Sequence, residues 1–297
     1  MAGNLPTSML GQTGVEVTRL GFGAMELRDS SIKWPIEDAQ AELLLNCVLD
    51  EGITFIDTAD CYGRSEDFIG RFISSRRSEF ILATKCGCIP AGRDWTAENL
   101  RRGVERSLRR LQTDYVDVVQ LHGAKPDDIN QEKSLEALSR MRDEGKVRWV
   151  GASTGTPYIE TYTEWKSFDV FQIPYSAFSR ENEMQITDAS EAGIGTVIRG
   201  GVAKGQPGEG KGSPDRWALW EKAGLGDLCQ EGETPTTFML RYTLSHPSID
   251  TVIVGTQNLD HIRANVQAAS HGPLNGDVYI EAKQRLSVRG ADIKAPV

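Results

Sequence analysis

The 297 residues carry 33 basic against 42 acidic side chains, a net charge of −9 that excludes a general polyanion-binding surface and with it broad nucleic-acid binding. No apolar run approaches the ~20 residues needed to cross a bilayer, and the opening Met-Ala-Gly-Asn-Leu-Pro lacks the basic and apolar regions of a secretory signal. Five cysteines, Cys47, Cys61, Cys86, Cys88 and Cys229, are odd in number and irregularly spaced, which suits reduced thiols in a cytoplasmic protein better than a disulfide framework.

Taken in chain order, residues 8–17, centred on Gly11-Gln12-Thr13-Gly14, predict a hairpin. Short β-branched runs then recur at residues 19–23, 53–58, 80–85, 116–122, 147–153, 170–175, 195–199 and 251–255. Several are almost wholly apolar, as strands buried on both faces of a parallel sheet must be. Helical periodicity fills the intervals. Residues 39–51 predict a helix with Leu43, Cys47 and Val48 on one face. Thr96 is the expected N-cap of a helix through Leu111, whose stripe is Leu100, Val104, Leu108 and Leu111. A helix over 134–144 should stop at Gly145, and Thr234-Pro235 should open another with proline in its first position. Residues 200–232 form a long Gly-rich segment, with a short helix from Ser213-Pro214, expected to cover the mouth of the fold.

Strictly alternating strands and helices give an α/β fold with a parallel sheet. Eight such units without a second core predict a closed (β/α)₈ barrel, a single domain spanning 1–297 with an N-terminal hairpin and a long loop after strand 7. No G-x-G-x-x-G follows the first strand, which argues against an open dinucleotide-binding sheet.

Chemistry in such barrels sits at the C-terminal ends of the strands. There Asp57 closes the second predicted strand, Lys85 the third and His122 the fourth, while Tyr62 lies on the loop after the second. Taken singly, each residue could merely cap a strand or face solvent. Together they form a pattern, because a lysine closing an apolar strand is costly to bury without a partner, and Asp57 on the neighbouring strand can supply one. Reducing a carbonyl requires a hydride and a proton. A tyrosine is a sluggish proton donor unless a cation stabilises its phenolate, a role open to Lys85, while His122 can hydrogen-bond the carbonyl oxygen.

Five segments carry a resemblance across the whole chain: Asp57-Thr58-Ala59-Asp60-Cys61-Tyr62-Gly63, Ala83-Thr84-Lys85, Gln120-Leu121-His122, Gly145-Lys146-Val147-Arg148-Trp149-Val150-Gly151-Ala152-Ser153, and Ser245-His246-Pro247. In these the sequence resembles the aldo-keto reductases. The resemblance implies NADP(H)-dependent reduction of small aldehydes and ketones by a tetrad of Asp57, Tyr62, Lys85 and His122. It further implies that Ser153 and Gln172 hold the nicotinamide carboxamide, with Thr154 where the family has Asn. Arg199 stands where the family commonly stacks an aromatic ring. Arg199-Gly200-Gly201-Val202-Ala203-Lys204-Gly205 is similar to the family's pyrophosphate clamp, whose glycines admit the backbone and whose lysine meets the phosphates. Gly23, Gly255, Thr256 and Gln257 complete the implied cofactor set. His261 and Asn265, one helical turn apart, would meet the adenosine 2′-phosphate, so NADP is preferred to NAD.

Two other functions remain open on the sequence: an NADP(H)-binding regulatory barrel with little turnover, and a Schiff-base aldolase using Lys85. Cys86-Gly87-Cys88 beside Cys61 lacks the spacing of a structural zinc site and reads as buried or rim thiols, so no metal is expected. Trp34, Trp95 and Trp217 fall in loops near the mouth, as pocket lining or as ordinary packing. Arg101, Arg102, Arg106, Arg109 and Arg110, with Glu98 and Glu105, read as a solvated helix face.

Overall fold

In the computed structural model, which describes residues 5–28, 35–90 and 92–288, eight parallel strands close into a barrel. They are β1 Leu20–Gly23, β2 Phe55–Asp57, β3 Ile81–Cys86, β4 Val116–His122, β5 Val147–Ser153, β6 Val170–Pro174, β7 Gly195–Arg199 and β8 Thr251–Val254. Each pairs with the next in sequence, and β8 returns to β1 through Val252↔Leu20, Ile253↔Gly21 and Val254↔Phe22. The predicted (β/α)₈ barrel is therefore the observed fold. The predicted hairpin is also present, as Thr7–Met9 antiparallel to Glu16–Thr18.

The period of two along each strand divides the core. Inward-facing Phe55, Ala83, Val118, Val170, Val197 and Ile253 cluster with Leu10 and Val17 of the hairpin, which thus plugs the N-terminal end of the barrel. Outward-facing Ile56, Leu82, Val119 and Ile198 belong instead to the larger core shared with the helices. Two residues beyond that inner layer stand Asp57, Lys85, Gln120, Gln172 and Arg199 on the same strands, with Gly255 just past the end of β8. The alternation that fills the barrel thereby delivers polar groups to its C-terminal mouth.

The helices are α1 Asp38–Asp50, α2 Ser65–Ile73, α3 Ala97–Leu111, α4 Glu136–Asp143, α5 Tyr158–Trp165, α6 Glu183–Glu191, α7 Pro214–Lys222, α8 Pro235–Leu244, α9 Leu259–Ser270 and α10 Gly276–Val288. Thr96 caps α3, its hydroxyl accepting from Asn99 N at 3.3 Å, and Thr234 caps α8 ahead of Pro235. Gly145 follows α4 with φ +74°, a left-handed conformation that glycine adopts without a Cβ penalty. In α1 the inward stripe is Ala41, Leu44, Leu45 and Val48, not the predicted face: Leu43 is 62% exposed and Cys47 half-buried. The α4 helix also begins later than expected, because Gln131–Leu135 form a wider π turn. Trp34 lies outside the described residues. Among the described residues no helix is long and apolar enough to cross a membrane.

At one contact between α2 and α3 the backbones meet: a Cβ at Gly70 would stand 2.1 Å from the carbonyl oxygen of Arg110. Gly70→Ala is expected to destabilise the fold by roughly 1–3 kcal/mol through overpacking, despite alanine's better helix propensity. Thermal denaturation measures this; an unchanged or raised melting temperature would contradict so close an approach.

Candidate active site

Lys85 is wholly buried, and its ammonium is held rather than exposed. Nζ donates to Asp57 Oδ2 at 2.5 Å and to the Thr58 carbonyl at 2.9 Å, and lies 4.9 Å from the Tyr62 ring centroid. Burial by itself would lower the lysine pKa; the Asp57 carboxylate and the Tyr62 phenol outweigh it and leave the pKa above its ordinary value. Asp57 is tied at its other oxygen too, where Oδ1 accepts from Gln120 Nε2 at 3.0 Å and Gln172 Nε2 at 2.7 Å. Ser153 Oγ in turn donates to Gln172 Oε1 at 3.3 Å. The carboxylate is thus oriented from β3, β4 and β6 at once.

Tyr62 is half-buried on the loop after β2, its ring edge-on to His122 with centroids 5.7 Å apart. Burial pushes its phenol pKa up, and the Lys85 ammonium pulls it back only in part. The Arg28 guanidinium stands 6.0 Å from the same ring, a second cation that sequence reasoning did not anticipate.

The loop that carries Tyr62 is anchored from both sides. Thr58 N and Asp60 N donate to the Ala83 and Lys85 carbonyls at 2.8 and 3.2 Å, and Ser65 Oγ donates to the Ala24 carbonyl. Behind it, Arg106 Nη2 meets Asp60 Oδ2 at 2.8 Å, and Arg110 Nη1 donates to the Asp60 carbonyl at 2.9 Å and lies 3.3 Å from Glu66 Oε2. Both carboxylates are fully buried, and burial raises both pKa values against the pull of these partners. The arginine-rich helix is therefore only partly a solvated face. Arg101 and Arg102 pair with exposed glutamates, whereas Arg106 and Arg110 turn under the loop that carries Tyr62.

The residues implied for a cofactor line the same mouth. At Gly255 a Cβ would come 2.6 Å from the Gly23 carbonyl oxygen, so glycine is required where the ends of β1 and β8 approach. After Arg199, which is exposed at the end of β7, the chain turns through left-handed conformations at Gly200 (φ +75°), Ala203 (φ +47°), Lys204 (φ +66°) and Gly205 (φ +77°). A Cβ at Gly201 would lie 2.6 Å from Val252 Cγ1, so this turn packs directly on β8. The Val202 side chain is buried and only its backbone can face a ligand, whereas the Lys204 side chain is exposed. The long loop is tied across the mouth by an ion pair between Lys211 and Glu26, and Gln257 Nε2 donates to the Glu26 carbonyl at 2.8 Å.

At the start of α9, Ile262 and Val266 are buried and Leu259 half-buried, leaving His261 exposed, with Nδ1 3.2 Å from Thr256 Oγ1 and Asn265 one turn on. Trp95 and Trp217 are buried, the latter packed on Phe178 and Trp220 with its indole N–H directed to the Ala203 carbonyl; both serve loop packing.

Residues 19–284, from the start of the barrel into the last helix, match the model of the aldo/keto reductase family. The chain belongs to that family. It is 31% identical over 283 residues to the uncharacterized oxidoreductase YqkF of Bacillus subtilis, covering 88% of this chain and 90% of the relative. Identity to the L-galactose dehydrogenase of Arabidopsis thaliana is 28% over 285 residues, covering 88% and 87%. Among solved structures, the holo form of aldo-keto reductase AKR11C1 from Bacillus halodurans superposes with a TM-score of 0.84 at 29% identity, over 98% of both chains.

The four residues of the expected tetrad are brought together in this aldo/keto reductase fold, as are Ser153 and Gln172. Sequence reasoning missed Gln120 as a partner of Asp57. The signal was available, since Gln120 precedes His122 by two residues and so shares its face of β4.

Proposed function

We propose that this aldo/keto reductase reduces aldehydes and ketones to alcohols with NADPH, using Tyr62 as the proton donor. The observation that carries this reading is the buried Lys85–Asp57 pair directly beneath the Tyr62 ring. A reduced nicotinamide, when bound, supplies the hydride. Its carboxamide finds complementary groups in Ser153, Gln172 and Thr154, whose buried Oγ1 has no hydrogen-bond partner among the described residues and so stands ready for a polar ligand.

The protein's own part is proton delivery and orientation. Tyr62 gives its phenolic proton to the carbonyl oxygen, Lys85 stabilises the phenolate left behind, and Asp57 keeps Lys85 charged and aimed. His122, beside Tyr62, donates to the same oxygen and fixes its direction. The aldolase alternative needs a neutral lysine, and Asp57 holds Lys85 protonated. The regulatory-barrel alternative needs no tetrad, yet all four groups are in place. Incubation with NADPH and a panel of reactive carbonyls tests the reading: nicotinamide absorbance should fall with stoichiometric formation of alcohol. Tight NADPH binding with no oxidation by any carbonyl would favour the regulatory barrel.

Preference for NADPH over NADH is assigned to the start of α9. The exposed His261 imidazole beside Thr256 Oγ1 can donate a hydrogen bond to a 2′-phosphate. His261→Ala is expected to lower the ratio of kcat/KM for NADPH to that for NADH by about 10-fold, the loss of one hydrogen bond to a charged group. An unchanged ratio would remove His261 from this role.

A further inference from the structure

Three soft or borderline donors converge at the mouth beside Tyr62, each from a different strand-to-loop junction. Cys61 lies on the loop after β2, Cys88 follows β3, and His122 closes β4. Their ligand atoms all lie within 4.8 Å of one another. His122 Nδ1 is 3.4 Å from Cys61 Sγ and 3.5 Å from Cys88 Sγ. Tetrahedral bonds of about 2.3 Å to sulfur and about 2.0–2.1 Å to nitrogen place such atoms roughly 3.6 Å apart. We propose that Cys61, Cys88 and His122 form a binding site for one Zn²⁺ or similarly thiophilic divalent cation, with the fourth coordination position open to the mouth.

The bland alternative is a pair of thiols hydrogen-bonded to an imidazole. Nδ1 carries one lone pair and accepts from one thiol at a time, so that alternative is a relay from thiol to thiol to imidazole, whereas a cation on the lone pair bonds all three donors at once and takes up one metal equivalent. The surroundings fit. Arg93 Nη1 lies 3.0 Å from Cys88 Sγ and favours the thiolate. Cys61 is exposed and His122 half-buried, so an ion can enter. Two thiolates and an imidazole select zinc-like ions over Mg²⁺ or Ca²⁺. Cys86, adjacent in sequence, takes no part, since its thiol is buried and directed to the Gln120 carbonyl.

Binding forms two metal–sulfur bonds and one metal–nitrogen bond, and any protons on the two thiols pass to solvent. Once Nδ1 is bonded, the remaining ring proton is confined to Nε2, so the ion would set the tautomer of His122. The site rests on donor geometry alone and is independent of whether the protein turns over carbonyls.

The test uses the intact, cofactor-free protein under a phosphine reductant, after titration confirms five free thiols. Cd²⁺ is added while thiolate-to-metal charge-transfer absorbance is followed, and Zn²⁺ affinity is read by competition with a chromophoric chelator. The expected result is one equivalent bound with a two-thiolate signal. Cys61→Ser and Cys88→Ser should each weaken binding by more than roughly 100-fold, above what loss of an outer-shell partner costs, while Cys229→Ser binds as wild type. Circular dichroism checks each fold, and Cys61, being exposed, provides a variant that tests the site even if Cys88→Ser misfolds. No saturable equivalent, or wild-type affinity in a folded Cys61→Ser, would overturn the proposal.

Discussion

Tyr62→Phe is expected to bind NADPH as the wild type does and to lose about 10²–10⁴-fold in carbonyl reduction, the range that general acid catalysis contributes. Phenylalanine keeps the ring against His122 and over Lys85 Nζ, so the packing of the loop survives while the donated proton disappears. The structure adds a pH dependence. The donor is the protonated phenol, and burial holds its pKa above that of an ordinary tyrosine although Lys85 pulls the other way. Wild-type reduction should therefore persist through the neutral range and fall only as pH rises through that raised value. Single-turnover hydride transfer against pH measures both effects. Near-normal turnover in the phenylalanine variant would show that another group delivers the proton.

How much of this was legible in the sequence depends on the reach of each interaction. The eight strands were readable because burial on both faces forces near-continuous β-branched runs such as Val116–His122, a purely local signal. Asp57, Lys85 and His122 were readable for the same reason: a charged or polar residue ending such a run is conspicuous. What failed was of two kinds. Leu43 was assigned to the buried face of α1 because three spacings of apolar residues compete there, and only the packed barrel selects Leu44, Leu45 and Val48. The division of the α3 arginines depends on what lies across the interface. Arg102 and Arg106 look alike in the chain, but the buried Asp60 opposite Arg106 is 46 residues away. The approach of Cys61 and Cys88 to His122 was hidden likewise, since three separate loops must fold before the donors meet. Side-chain partnerships across elements need the barrel; the barrel itself does not need them to be recognised.

Lys85→Met should cost more than any other single change at the site, in activity and in stability together. Methionine matches the aliphatic stem but removes the cation that pulls the Tyr62 phenol toward a usable acidity, so reduction should fall at least about as far as the 10²–10⁴-fold expected on losing the acid itself. It also strands a buried carboxylate, and breaking such a pair commonly costs about 3–5 kcal/mol, set against the 5–15 kcal/mol typical of a whole fold. The variant must therefore be shown folded before its rate is interpreted. Because the Lys85 pKa is raised in the fold, the pair's stabilising contribution is complete below the pKa of an unfolded lysine and is lost only as pH climbs through the higher folded value. The stability gap between wild type and Lys85→Met should accordingly be constant near neutrality and narrow in strong alkali. Asp57→Asn is the gentler probe, and the geometry says where its cost falls. Asp57 accepts three hydrogen bonds, one at Oδ2 from Lys85 and two at Oδ1 from Gln120 and Gln172, so an asparagine must turn its NH₂ either to the Lys85 ammonium or to both glutamines. With the NH₂ toward the glutamines, Gln120 can rotate its amide to accept, since its Oε1 has no partner among the described residues, and the cost falls on Gln172, which can rotate only by giving up Ser153. Asp57→Asn should therefore fold, reduce carbonyls more slowly than wild type but faster than Lys85→Met, and let Lys85 lose its proton at a lower pH. Superimposable single-turnover pH profiles and equal rates in wild type and both variants would mean that the buried pair does not tune the acid, and the proposed mechanism would have to be abandoned.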